Sequence, residues 1–152
     1  MNSDKRVLFD SNVLVYVHNQ DSPFYAASAK FLTLVITGEM RGVLAQQNLL
    51  EFYSIVTDAR RVTHPLSPHE AASLVAAYLQ SPFTIVVPTT QTAQLALTMS
   101  KHQHLVNGRI FDAYLAATMI TNEVQVIVTA NVKDFASFPE LEVIDLRDAG
   151  NR

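Results

Sequence analysis

The sequence predicts an α/β fold built around a mainly parallel sheet, and three observations carry that expectation. Five short runs rich in β-branched residues, at 7–9, 43–45, 84–87, 126–129 and 142–146, lack a regular apolar–polar alternation. That is the pattern of strands covered on both faces. Longer stretches with helical spacing lie between them, so strands and helices alternate along the chain. Hydrophobic residues make up 49% of the 152 residues and charged residues 16%, enough apolar material for one core without covalent staples.

Taken in order, the first strand at 7–9 runs into an apolar stretch that reaches residue 17. Residues 24–38 carry apolar side chains at helical spacing and end on Gly38, a common helix stop. After the strand at 43–45, residues 47–60 read as a helix. Leu50, Tyr53, Ser54 and Thr57 lie on one side of it, with Leu49, Phe52 and Val56 nearby. Ser67, Pro68 and Glu70 form a capping-box signature that opens a helix over 68–79. Thr89 or Thr90 caps a helix over 91–102, and residues 110–120 form another. No internal repeat, low-complexity run or linker interrupts 1–152, so a single domain is expected.

Several function classes are excluded. Cysteine is absent, which rules out disulfides, zinc–thiolate sites and a cysteine nucleophile. Residues 1–6 are polar, and no run approaches the roughly 18 apolar residues of a membrane span. Neither a leader nor a membrane association is expected, and a cytoplasmic location follows. The net charge of −3 speaks weakly against a nucleic-acid partner. A carboxylate site with bound cations would reverse the local sign. The five histidines form no site: His102 and His104 fall at a helix end, and His18, His64 and His69 read as surface or loop residues.

The informative feature is where a few acids stand. Asp10 is the lone charge in VLFDSNVLVYV (7–17), Glu51 in QNLLEFYSIVT (47–57) and Asp112 in IFDAYLAATMI (110–120). A carboxylate withdrawn from water costs several kcal/mol unless a cation or hydrogen-bond donors compensate it. Asp10 follows the first strand, and ligands of parallel sheets bind outside the carboxyl ends of strands. Asp112 falls in the first turn of its helix, where the dipole favours an anion. Glu51 lies one turn into the helix after 43–45. Asp134 follows the strand at 126–129 after the short loop 130–133. Singly, each acid could be a cap or a surface charge. Their common position after strands predicts one carboxylate site.

Four segments together resemble the PIN-domain nucleases, and among them the VapC-like toxins of type II toxin–antitoxin pairs. They are LFDSNVLVY (8–16), QNLLEF (47–52), FDAYLAA (111–117) and VTANVKDF (128–135). The resemblance implies a three-layer α/β/α domain with a central, mainly parallel sheet of four to five strands flanked by helices. It matches Asp10, Glu51 and Asp112 to the three core metal-binding acids and Asp134 to a fourth, more variable one. Asn12 matches a polar residue that orients the first carboxylate, and Thr129 and Asn131 match polar positions lining the pocket. Some relatives carry an acid where Asn131 stands.

An all-oxygen ligand set favours Mg²⁺ or Mn²⁺ over zinc. The implied activity is metal-dependent endonucleolytic hydrolysis of RNA, leaving a 5′-phosphate and a 3′-hydroxyl. Arg60, Arg61, Arg109 and Lys133 are candidate RNA contacts because each flanks or follows an acid-bearing segment. Tyr16 and Phe135 could stack on bases but fit core packing better. Gly108 either lets the loop before Asp112 approach a phosphate or only ends the preceding helix. The resemblance also implies a cognate antitoxin and a homodimer; the apolar faces within 24–36 and 49–56 either bury such a partner or line the core. Three other readings share parts of the pattern: an RNA-processing nuclease without an antitoxin, a phosphatase with Asp10 as nucleophile, and a non-catalytic module with an acidic pocket. The phosphatase reading lacks an acid at position 12 and leaves Glu51 without a role.

Overall fold

The computed structural model describes residues 4–151. Five strands, β1 (Arg6–Phe9), β2 (Arg41–Ala45), β3 (Thr84–Val86), β4 (Val126–Thr129) and β5 (Glu142–Asp145), form one sheet in the order β3-β2-β1-β4-β5. Every neighbouring pair is parallel, and Leu8 in the central strand lies opposite Val43 on one side and Ile127 on the other. Among the described residues seven α-helices connect and cover the strands: α1 (Ser11–Val17), α2 (Tyr25–Ile36), α3 (Gln46–Val56), α4 (Pro68–Leu79), α5 (Thr90–His102), α6 (Arg109–Thr121) and α7 (Val132–Phe135). A 3₁₀ turn, Leu146–Asn151, follows β5.

The absence of alternation in the strands has a simple cause: both faces are buried. Val7 and Phe9 of β1 pack with Leu14, Phe31, Val35 and Phe52 from α1–α3. Leu8, between them, faces Ala96, Met99, Ala113 and Met119 from α5 and α6. Successive side chains point to opposite faces of a strand, so each of these residues is fully buried in its own layer. The three-layer α/β/α architecture follows.

Local signals set most helix ends. Ser67 Oγ accepts from the Glu70 amide at 3.1 Å while Glu70 Oε2 accepts from the Ser67 amide at 2.8 Å, closing the capping box that opens α4. Thr89, rather than Thr90, caps α5. α2 stops at Ile36, and Gly38 takes the left-handed backbone (φ +79°) that a side chain resists. Gly42 in β2 admits a close approach: a Cβ there would lie 2.6 Å from both the Phe83 ring and Val35.

Residues 11–17, which the sequence marks only as apolar, form α1. Three local expectations need correction. α3 ends at Val56, so Arg60 stands in the following turn, and Leu50 is 70% exposed whereas Leu49, Phe52 and Val56 enter the core. The segment after β4 winds into α7 from Val132. Gly108 caps α6 in ordinary right-handed backbone (φ −63°), while α5 has already ended at His102. Of the two helical faces offered to a partner, Phe31, Val35, Leu49 and Phe52 line the core.

Candidate active site

The carboxyl ends of β1, β2 and β4 lie side by side; Asp10 follows β1, α3 follows β2, and β4 ends on Thr129. Asp10 ends β1, where its backbone amide donates to the Val128 carbonyl at 3.1 Å. Its extended backbone (φ −65°, ψ 154°) makes it the N-cap of α1, and Oδ1 accepts from the Ser11 amide at 2.8 Å. Oδ2 accepts from the Thr129 hydroxyl at 2.7 Å and from Asn12 Nδ2 at 3.2 Å. Asn12 Oδ1 in turn accepts from the Ala130 amide at 3.3 Å. Asp10 is therefore buried with both oxygens held in place by hydrogen bonds, and Oδ1 keeps acceptor capacity beyond its one bond.

Glu51 comes from α3 and is held at both oxygens. Ser11 Oγ donates to Oε2 at 3.0 Å, and Gln47 Nε2 donates to Oε1 at 2.7 Å. Gln47 Nε2 also reaches the Phe111 carbonyl at 3.0 Å, tying α3 to α6. Asp112, in the first turn of α6, accepts from Arg109 Nε at 2.8 Å. Arg109 Nη2 continues to the carbonyl of Asp134 at 3.0 Å.

A pocket of about 330 Å³ gathers Asp10, Glu51, Asp112 and Asp134 on its walls, with Ser11, Asn12, Ser54, Arg61 and Asn131. Thr129 lies beneath it, fully buried, and donates to Asp10 from below while its Oγ1 accepts from the Asn131 amide at 2.9 Å. The four basic candidates separate. Arg61 lines the pocket; Arg60 is held by Asp58 in an exposed pair; Arg109 is committed to Asp112; Lys133 is exposed and off the pocket wall. Phe135 borders the pocket but is only 3% exposed, and Tyr16 packs against Phe24 in a tilted pair with ring centres 4.8 Å apart.

Two side chains, Ser11 and Gln47, enter the site without having been singled out from the sequence. For Ser11 the partner is 40 residues away, a pairing no local pattern reveals. Gln47 stands four residues before Glu51, a helical i,i+4 spacing that could have flagged it.

The pocket is electrostatically loaded. Burial pushes the Asp10 carboxyl up from 3.8 to about 6, opposed by its bonds from Thr129 and the Ser11 amide and aided by the charges of Glu51 and Asp112. Burial also raises Asp112, against the Arg109 bond, with Asp134 and Glu51 adding to the rise. Four carboxylates facing one cavity repel one another, and a cation would relieve them. Among the described residues no three such groups stand close enough to hold a metal ion between them. The oxygen-only donor set nevertheless suits a hard divalent ion that keeps several waters and takes one or two carboxylates.

The PIN domain family matches residues 7–141. The ribonuclease VapC24 of Mycobacterium tuberculosis is 26% identical over 129 residues, covering 85% of this chain and 88% of that protein. VapC43 of the same organism, also a ribonuclease, is 31% identical over 114 residues, covering 74% and 78%. Among solved structures, a toxin–antitoxin complex from Klebsiella pneumoniae superimposes with a TM-score of 0.62 at 16% identity, over 92% of this chain and 97% of the matched one.

Proposed function

This chain belongs to the PIN-domain family, and on that premise we propose that it is a Mg²⁺- or Mn²⁺-dependent endoribonuclease, the toxin of a toxin–antitoxin pair. The observation that carries the proposal is the meeting of Asp10, Glu51, Asp112 and Asp134, from four separate chain segments, around one pocket at the carboxyl edge of a parallel sheet. The ribonuclease names of the curated relatives and the toxin–antitoxin complex of the same fold support the substrate and the partner.

In this reading Asp10 and Asp112 hold a principal ion, with Glu51 and Asp134 completing its surroundings or a second site. A divalent ion bound there supplies a nucleophilic water at neutral pH and stabilises charge on the phosphoryl oxygens. The chain's own residues do the positioning. Thr129 and Asn12 fix the direction of Asp10, Ser11 and Gln47 fix Glu51, and Arg61 on the pocket wall offers the phosphate a positive contact.

Leu50 and Phe111, 70% and 60% exposed, flank an apolar groove with Pro88 and Tyr114 beside the acidic pocket. This is the surface we assign to a second copy in a homodimer. No helix among the described residues is long and apolar enough to cross a membrane; the cytoplasm is the location we assign to the enzyme.

The deciding experiment incubates the purified chain with mixed RNAs in Mg²⁺ or Mn²⁺, with EDTA and Asp10→Ala as controls. Cleavage that needs the ion and disappears in Asp10→Ala is the expected result. Cleavage surviving Asp10→Ala would place the activity elsewhere. No cleavage of any RNA would favour a non-catalytic module. Growth arrest on induction, lost in Asp112→Ala and relieved by the product of a neighbouring antitoxin gene, tests the toxin assignment.

A further inference from the structure

Arg109 opens α6 and reaches two parts of the pocket wall at once. Its Nε bonds Asp112 Oδ2 at 2.8 Å and its Nη2 bonds the Asp134 carbonyl at 3.0 Å. One planar fork thus joins α6 to α7. Both side chains of the ion pair are partly withdrawn from water, 38% exposed for Arg109 and 26% for Asp112. An exposed pair of this kind would be worth little. Here the acid also faces the like charges of Asp134 and Glu51, and the guanidinium is the charge that offsets them.

A second observation bears on the same contact. Four acids line the pocket, yet among the described residues no three metal-ligating groups stand together. Asp112 is turned to Arg109 with one oxygen, and a cation that takes that oxygen meets a resident positive charge.

We propose that Arg109 is an internal stand-in for the divalent cation, holding Asp112 in the ion-free chain and competing with the ion for it, so that Arg109 sets the metal concentration at which the site fills. The inference rests on the reading of the pocket as a metal site. A unit positive charge beside a divalent ion, screened nearly as in water, lowers its affinity by about tenfold.

The test is Mn²⁺ binding to the full chain at low ionic strength, followed through the electron paramagnetic resonance signal of free Mn²⁺. Arg109→Gln is expected to bind Mn²⁺ about tenfold more tightly than the wild type. Arg109→Met, which keeps an unbranched stem, should do the same and guards against a folding defect peculiar to glutamine. Arg109→Lys, with its charge retained, should stay within about twofold of wild type. In EDTA both neutral variants should melt at a lower temperature than wild type and gain more from added Mn²⁺. Wild-type binding with equal or weaker binding by the neutral variants would overturn the proposal and make Arg109 a residue that merely orients Asp112. Absence of Mn²⁺ binding by every chain, Asp112→Asn included, would instead overturn the metal-site reading beneath it.

Discussion

The Thr129 hydroxyl, at the end of β4, donates to Asp10 Oδ2 at the end of β1 over 2.7 Å, and both residues are buried. Adjacent parallel strands bring the pair together in register, with Phe9 opposite Val128. A carboxylate in that position is costly unless donors meet it. Thr129→Val keeps the shape and removes the donor. It should lower stability by roughly 1–3 kcal/mol in urea denaturation and push the Asp10 carboxyl further above its present range.

The raised Asp10 carboxyl makes a signed prediction about pH. The folded chain keeps this proton up to about pH 6, whereas an unfolded chain releases it near 3.8. The native state therefore binds the extra proton between those values, and stability falls as pH rises through that window. The full contribution is about 3 kcal/mol. In the absence of metal, the stability difference between Asp10→Asn and wild type should grow in favour of the variant from pH 4 to pH 6 and level off above. A difference that does not change with pH would refute the buried-carboxyl account.

Glu51 owes its direction to Ser11 and Gln47. Removing such an orienting partner from a metal-binding acid typically costs ten- to a hundredfold. Gln47→Ala should lower kcat for RNA cleavage by about tenfold while the melting temperature stays near wild type. Normal turnover in this variant would show that Glu51 needs no orientation.

Gly42 separates packing from chemistry. The Cβ of Gly42→Ala would meet Phe83 and Val35 at 2.6 Å, and such overpacking costs roughly 1–3 kcal/mol. Urea denaturation should show that loss, whereas activity per folded molecule should stay unchanged because Gly42 is not among the residues lining the pocket.

Much of the fold was legible because burial on both faces leaves a direct trace in composition. All five strands stand within two residues of their expected bounds, and the α4 bounds agree with the span opened by its capping box. The segment Ser11–Val17 was not read as a helix because SNVLVYV is rich in valine and buried at Val13, Leu14 and Val15. It carries no polar face to betray a helical period. α7, four residues long, is too short for any period to show. At the pocket, lone charges in apolar surroundings marked Asp10, Glu51 and Asp112. The roles of Ser11 and Arg109 depend on side-chain contacts that no local pattern reveals: Arg109, a candidate RNA contact by its position, is bound to Asp112 and the Asp134 carbonyl.

The central strand of the sheet is also the first to be synthesised. β1 lies between β2 and β4, and Thr129 follows Asp10 by 119 residues. At cellular elongation rates that interval lasts on the order of 10 s. Throughout it, a chain still attached to its ribosome holds Asp10 without the hydroxyl that orients it and without the strand that completes its surroundings. Whatever chemistry the pocket performs must wait until β4 has been synthesised, so the order of synthesis acts as a timer on the protein's own activity.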